Sequence, residues 1–107
     1  ELVQGVVIAR KSFVNEHPEA IEQFLREYEK SSAFVNENID EAAKLIVDAG
    51  ILGNVEIAKK AIPNCNISFS KGEAMHKAVE GMLTVLFEAN PKSIGGKLPD
   101  KDFYYGI

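Results

Sequence analysis

The chain has 107 residues and a formal net charge of −4, with 46% hydrophobic and 26% charged residues. These values suit one globular domain with a modest core. Acidic and basic residues are interleaved without a basic stripe, so nucleic-acid binding is disfavoured. No apolar run approaches the roughly 20 residues that span a bilayer, and a single cysteine excludes an internal disulfide.

The opening stretch, ELVQGVVIAR, predicts a buried β-strand that begins at Val3 and ends at Ala9. Its short apolar run of β-branched residues is typical of a strand covered on both faces. The sequence has no initiator methionine and no leader-like start, so we expect residues 1–107 to be a single partial domain of a longer protein. An isolated strand leaves its hydrogen-bonding edge open. We therefore expect its partners elsewhere in that protein or in a second copy of the chain.

Four amphipathic helices are predicted after the strand. The strongest begins at Pro18, with His17 as N-cap and Glu19 at the positive end of the helix dipole. One apolar stripe runs along it at helical spacing. The stripe consists of Ile21, Phe24, Leu25, Tyr28 and Val35.

Asn38 and Glu41 form the pattern of a capping box at the start of the second helix, and Gly50 suits its left-handed end. Asn54 suits the N-cap of a short third helix over residues 55–62, which Pro63 ends.

Residues 64–70 predict an extended segment or weak strand, in which Ile67 and Phe69 alternate with serines. The fourth helix is predicted over residues 72–89, followed by a loop-like tail rich in Gly and Pro. An aromatic cluster is expected to anchor this tail: Phe103, Tyr104 and Tyr105.

The segment AIPNCN contains the only cysteine, Cys65. A catalytic thiolate needs a neighbouring base, and His17 and His76 are the only histidines. N-capping explains His17, and His76 is predicted at the surface or at the boundary of the apolar stripe. We therefore interpret Cys65 as structural, and we expect no catalytic residues, no metal site and no cofactor.

Asn64 and Asn66 flank the cysteine, and asparagine side chains both donate and accept hydrogen bonds. They are candidate ligand-binding residues if the loop points into a cleft. The alternative is that they shape a turn through local bonds to the backbone.

GVVIAR followed by KSFVNEHPEAIEQFLREYEKS resembles the C-terminal part of bacterial ABC-transporter substrate-binding proteins of the nitrate, sulfonate, taurine and thiamine-precursor type. His17 stands where that family often has Asn, and Ile39 replaces a frequent proline. The segments VNENIDEAAKLI, AIPNCNISFSKGEAM and EANPKSIGGKLPDKDFYY are similar to later family elements.

The resemblance implies the C-terminal segment of a periplasmic-binding-protein type II α/β fold, mainly α here, with four helices and the strand of residues 3–9. It implies a protein without enzymatic activity that captures a small solute and delivers it to an ABC permease. It also implies a location in the periplasm or on the extracellular face of the membrane, with a lipid anchor. Most ligand contacts are expected upstream of these residues.

Two other functions remain open from the sequence. One is an independent helical module that docks a partner through its apolar stripes. The other is a small thiol enzyme that uses Cys65. A further expectation is that copies of the chain self-associate through residues 3–9.

Overall fold

The computed structural model describes all 107 residues and contains five α-helices, three short 3₁₀-helices and no β-strand. The prediction of a mainly helical chain is confirmed, whereas the predicted α/β fold with a strand and four helices is wrong. None of the helices combines the length and the hydrophobicity needed to cross a membrane. The α-helices are α1 Lys11–Glu16, α2 Pro18–Glu37, α3 Ile39–Asp48, α4 Val55–Ala61 and α5 Gly72–Ala89.

The chain divides into two compact units. One comprises Glu1–Ile8 together with Ser70–Ile107, and the other comprises Ala9–Phe69. The first contains α5, and the second contains α1 to α4.

The strand predicted from Val3 to Ala9 is not formed, and residues 1–10 have no regular secondary structure. β-Branched residues favour a strand, but a strand exists only where a neighbour accepts and donates its ladder of hydrogen bonds. The unit that contains residues 1–8 offers no such neighbour, since its regular elements are α5 and two 3₁₀-helices. The Val3 N–H instead lies 3.3 Å from the sulfur of Met82 in α5.

Helix α1 is not among the predicted elements, and it begins only two residues after the predicted end of the strand at Ala9. The backbone turns into a helix at Lys11, and the Arg10 carbonyl accepts from the Val14 N–H at 3.0 Å. His17 then ends α1 and is also the N-cap residue of α2, with Pro18 in the first turn as predicted.

The core of the second unit lies where α3 packs against α4. Its buried side chains are small apart from one isoleucine, and partly buried residues of α2, α3 and α4 surround them. The Asn54 side chain caps α4 by accepting from the Ile57 N–H at 3.1 Å, as predicted. The buried residues are Ala42, Ala43, Ala58 and Ile62.

Asn38 joins α2 to α3, and the predicted capping box is not formed there. Its backbone N–H donates to the Phe34 carbonyl at 2.8 Å and so ends α2, while its side chain makes no capping bond to α3. Gly50, after α3, has a φ of 77° and provides the predicted left-handed terminus.

Residues 67–69 lie against α2 without forming a strand, contrary to one of the two predictions for this segment. The Asn36 side-chain amide in α2 donates to the Ile67 carbonyl at 2.9 Å. The Phe69 ring packs against Tyr28, with centroids 5.8 Å apart. Ile67 and Phe69 are half-buried and Ser68 is exposed, so the predicted alternation is present without a β-ladder.

After α5 the tail folds into two 3₁₀-helices, Pro91–Ile94 and Lys101–Phe103. The Asn90 side chain accepts from the Lys92 N–H at 3.2 Å, and the Ser93 hydroxyl donates to the Leu86 and Asn90 carbonyls at 3.3 and 2.7 Å. These bonds turn the chain sharply at the end of α5.

Candidate functional site

The candidate ligand-binding residues Asn64 and Asn66 lie on an exposed turn that follows α4. The Asn64 side-chain amide donates to the Lys60 carbonyl at 3.1 Å, and Asn66 has a φ of 52°. Asparagine tolerates this left-handed conformation better than most residues. Both residues therefore have a local role in shaping the turn, and their role as ligand contacts stays a prediction.

Cys65 is an exposed free thiol between these asparagines. Its backbone N–H donates to the Ile62 carbonyl at 3.1 Å, which closes the 3₁₀-turn Ile62–Asn64. Its exposure shows that Cys65 is not part of the buried core. No group of three or more His, Cys, Asp or Glu side chains is arranged to hold a metal ion.

His17 occupies the predicted N-cap position of α2 but makes no side-chain capping bond. Its ring packs against Phe13 of α1, with centroids 4.9 Å apart. His17 belongs to the unit of residues 9–69, whereas His76 belongs to the other unit.

His76 is buried, so the prediction of a surface or boundary position is wrong. Nδ1 lies 3.4 Å from Glu73 Oε1 and Nε2 lies 3.5 Å from Glu80 Oε2. The ring packs against Tyr104, with centroids 4.4 Å apart at an angle of 55°. These four side chains, which we call the His76 cluster, are the only grouping in the chain where a buried titratable ring meets two carboxylates.

The positions of these residues explain the geometry of the His76 cluster. Glu73 and Glu80 stand three residues before and four residues after His76 on α5, so all three side chains share one face of the helix. The Nδ1 contact with Glu73 has hydrogen-bond geometry, whereas the Nε2 contact with Glu80 is an ion pair only when the ring is protonated. The spacing E-x-x-H-x-x-x-E was the sequence signal that could have identified this arrangement.

Tyr104 closes the His76 cluster from the tail. It is buried, its ring meets Phe103 edge-on at 5.2 Å, and its hydroxyl has no hydrogen-bond partner. The predicted aromatic anchor of the tail is thus principally Tyr104, since Phe103 and Tyr105 remain exposed. The cluster fastens the tail to α5, and its residues do not line either of the two surface depressions described below.

Burial raises the pKa of the Tyr104 phenol above its ordinary value of 10.0, and the negative charge of Glu80 adds to this rise. The folded state therefore holds the phenolic proton more tightly than the unfolded state. The resulting contribution to stability is complete below about pH 10 and is lost as the pH rises through the folded-state pKa.

We expect the free energy of unfolding of the natural chain to decline above about pH 10 more steeply than that of Tyr104→Phe, which has no phenol to ionise. The measurement is urea unfolding at closely spaced pH values. Asp40, and then Glu56, raise the pKa of Lys59, so lysine ionisation also contributes in this range. That contribution is common to both proteins and cancels in the difference. Parallel pH profiles would contradict the prediction.

Two open depressions lie on the surface of the protein. One lies on the first turns of α2, around Glu19 and Arg26, and the other lies around Asn38 where α3 begins. Neither involves Asn64, Cys65 or Asn66. No protein-family model matches this chain, and no curated protein or solved structure is significantly similar to it.

Proposed function

We propose that this chain is part of the solute-binding component of a bacterial ABC importer. That component captures a small solute such as nitrate, a sulfonate or a pyrimidine and delivers it to the membrane permease. It acts in the periplasm or on the extracellular face of the membrane, held there by a lipid anchor. No bond is made or broken in this activity.

The observation that carries the proposal is the order of segments described above. The apolar stretch GVVIAR, an aromatic residue, an acidic run and H-P-E lead into an amphipathic helix, and the resemblance extends to the tail. The position of Pro18 in the first turn of α2 agrees with the element that this resemblance implies.

Two features of the surface are compatible with a partial binding protein. The depressions are open and lie at the starts of two helices. Most solute contacts would therefore come from other parts of the importer component. The aliphatic side chains of Leu2, Val6 and Ile8 are exposed. This apolar surface is available for another part of the protein to cover.

The test is calorimetric titration of nitrate, short alkyl sulfonates and pyrimidines into two proteins. The first is the 107-residue chain, for which we expect no measurable binding. The second is the complete product of the gene, for which we expect saturable one-to-one binding of one of these solutes, with a dissociation constant on the order of micromolar. A complete product that binds none of them, or tight binding by the chain alone, would contradict the proposal.

Substitutions in the complete gene product then test the two asparagines. If they contact the solute, Asn64→Ala and Asn66→Ala weaken binding, whereas Cys65→Ala on the same turn serves as the matched control and leaves it unchanged. Equal affinities in all variants would restrict the asparagines to their observed role in the turn.

A helical protein-interaction module is the second candidate, and exposed aliphatic residues on the second unit favour it. Leu45 in α3, Ile51 in the loop after α3 and Ile57 in α4 are all exposed to solvent. If this surface docks a partner, Leu45→Lys and Ile57→Lys abolish the function of the protein in the cell while solute affinity stays unchanged. The importer proposal expects both variants to retain uptake.

A further inference from the structure

The segment of residues 2–9, which we call the N-terminal segment, combines apolar side chains with unused backbone hydrogen-bonding groups. Residues 4–9 make no hydrogen bond within the protein, and the Val3 N–H meets only the Met82 sulfur. No residue of the segment has a positive φ, so its backbone is free to extend. This differs from the exposed aliphatic residues of the helices, where the backbone groups are already paired.

The segment has the composition of a strand that pairs with another chain. It is eight residues long, has high β-propensity and contains no proline and no charged residue. An open edge of this kind is a template for strand addition. Natural proteins discourage such pairing with charges or proline within the strand, and this segment has neither.

We propose that the N-terminal segment of the 107-residue chain pairs with the same segment of a second copy, in antiparallel orientation. Charge decides the orientation. Antiparallel pairing centred on the Gly5–Val6 peptide places Glu1 of one copy opposite Arg10 of the other, at both ends of the pair. Parallel pairing would place Glu1 beside Glu1 and Arg10 beside Arg10, and like charges directly opposite each other destabilise a sheet. This inference is independent of the proposed transport function.

Because the separate chain contains no β-strand, the appearance of β-structure reports pairing directly. A two-stranded sheet is only marginally stable, so we expect weak association, with a dissociation constant on the order of 100 µM. The experiment combines sedimentation equilibrium with the amide infrared spectrum over a range of concentrations, on a chain with an acetylated N-terminus so that Glu1 keeps its net charge. We expect dimer and β-signal to increase together.

Val6 and Val85 provide a matched pair of substitutions. They are the same residue type with nearly equal exposure, 63% and 64%, but Val85 lies within the C-terminal part of α5, where its backbone is helical. We expect Val6→Lys to abolish both dimer and β-signal and Val85→Lys to leave both unchanged. Val6→Pro, which retains apolar surface and removes the N–H, should act like Val6→Lys.

The orientation is tested by exchanging charges. Arg10→Glu should weaken association roughly tenfold, because it places two carboxylates opposite each other at both ends, and the double variant Glu1→Arg with Arg10→Glu should restore it. A chain that stays monomeric at all concentrations would overturn the proposal. So would association without β-signal, equal sensitivity to Val6→Lys and Val85→Lys, or a double variant no better than Arg10→Glu.

Discussion

Replacing Ile62 by Ala is expected to lower the free energy of unfolding by about 3 kcal/mol. Ile62 is the only large side chain among the buried residues between α3 and α4, and its exposure is 3%. The neighbouring buried residues Ala42, Ala43 and Ala58 have single methyl groups that cannot move into the space left behind. The loss is large against the total stability of about 5–15 kcal/mol that is common for single domains.

The measurement for Ile62→Ala is urea unfolding followed by far-ultraviolet circular dichroism. Ile57→Ala is the matched control, because Ile57 lies in α4, immediately before the 3₁₀-turn that contains Ile62, and is 59% exposed. We expect that variant to change the free energy by less than about 0.5 kcal/mol, since little burial is lost and alanine favours the helix. Similar losses in both variants would show that Ile62 does not hold α3 and α4 together.

Tyr104→Ala is expected to release the tail from α5 and to cost about 3 kcal/mol in the unit that contains both. The substitution removes a buried ring that packs on His76 and Phe103, and it exposes the His76 ring to water. Release of the tail is measured by limited proteolysis at Lys97 and Lys101, where trypsin should cut the variant faster. The free energy is measured by urea unfolding.

Tyr104→Phe separates packing of the ring from the chemistry of the hydroxyl. The hydroxyl is buried without a hydrogen-bond partner. Its removal should therefore leave the free energy of unfolding at neutral pH unchanged or raise it by up to about 1 kcal/mol. Proteolysis of this variant should match that of the natural chain. A loss equal to that of Tyr104→Ala would mean that the hydroxyl, and not the ring, secures the tail.

Most helix ends were predictable because they depend on residues close in sequence. Pro18 fits only the first turn of α2. The Asn54 side chain accepts from the N–H of a residue three positions ahead. Gly50 adopts a left-handed conformation without steric cost. The limits of α5 were predicted from an apolar stripe and a following proline. Such signals are local, and the chain obeys them independently of its tertiary contacts.

The N-terminal segment could not be predicted in this way, because a strand depends on a neighbour that the sequence pattern does not supply. Its β-branched residues express a preference, and the backbone follows it only where a second strand is present. Helix α1 was missed for the related reason that Arg10 and Lys11 carry no strong signal for either state. Local propensity therefore identifies the segment as apolar and leaves its conformation open.

The candidate site was predicted less well than the fold. Asn64 and Asn66 form the turn that was one of their two interpretations, but nothing in their spacing indicates whether such a turn faces a cleft. His76 was misplaced because its burial depends on Tyr104, which is 28 residues away along the chain. The two glutamates on α5 were visible in the sequence, whereas the ring that covers the histidine was not.

The alanines between α3 and α4 have a consequence for how relatives of this chain will be recognised. Ala43 and Ala58 are fully inaccessible, so the separation of the two helices fixes the size of the residue at each position. A hydropathy profile would accept leucine there, although its extra carbons would force the helices apart. Distant homologues should therefore retain small side chains at these two positions, even where the larger apolar residues around them have changed. A search weighted on residue volume should detect such homologues sooner than a search weighted on hydrophobicity.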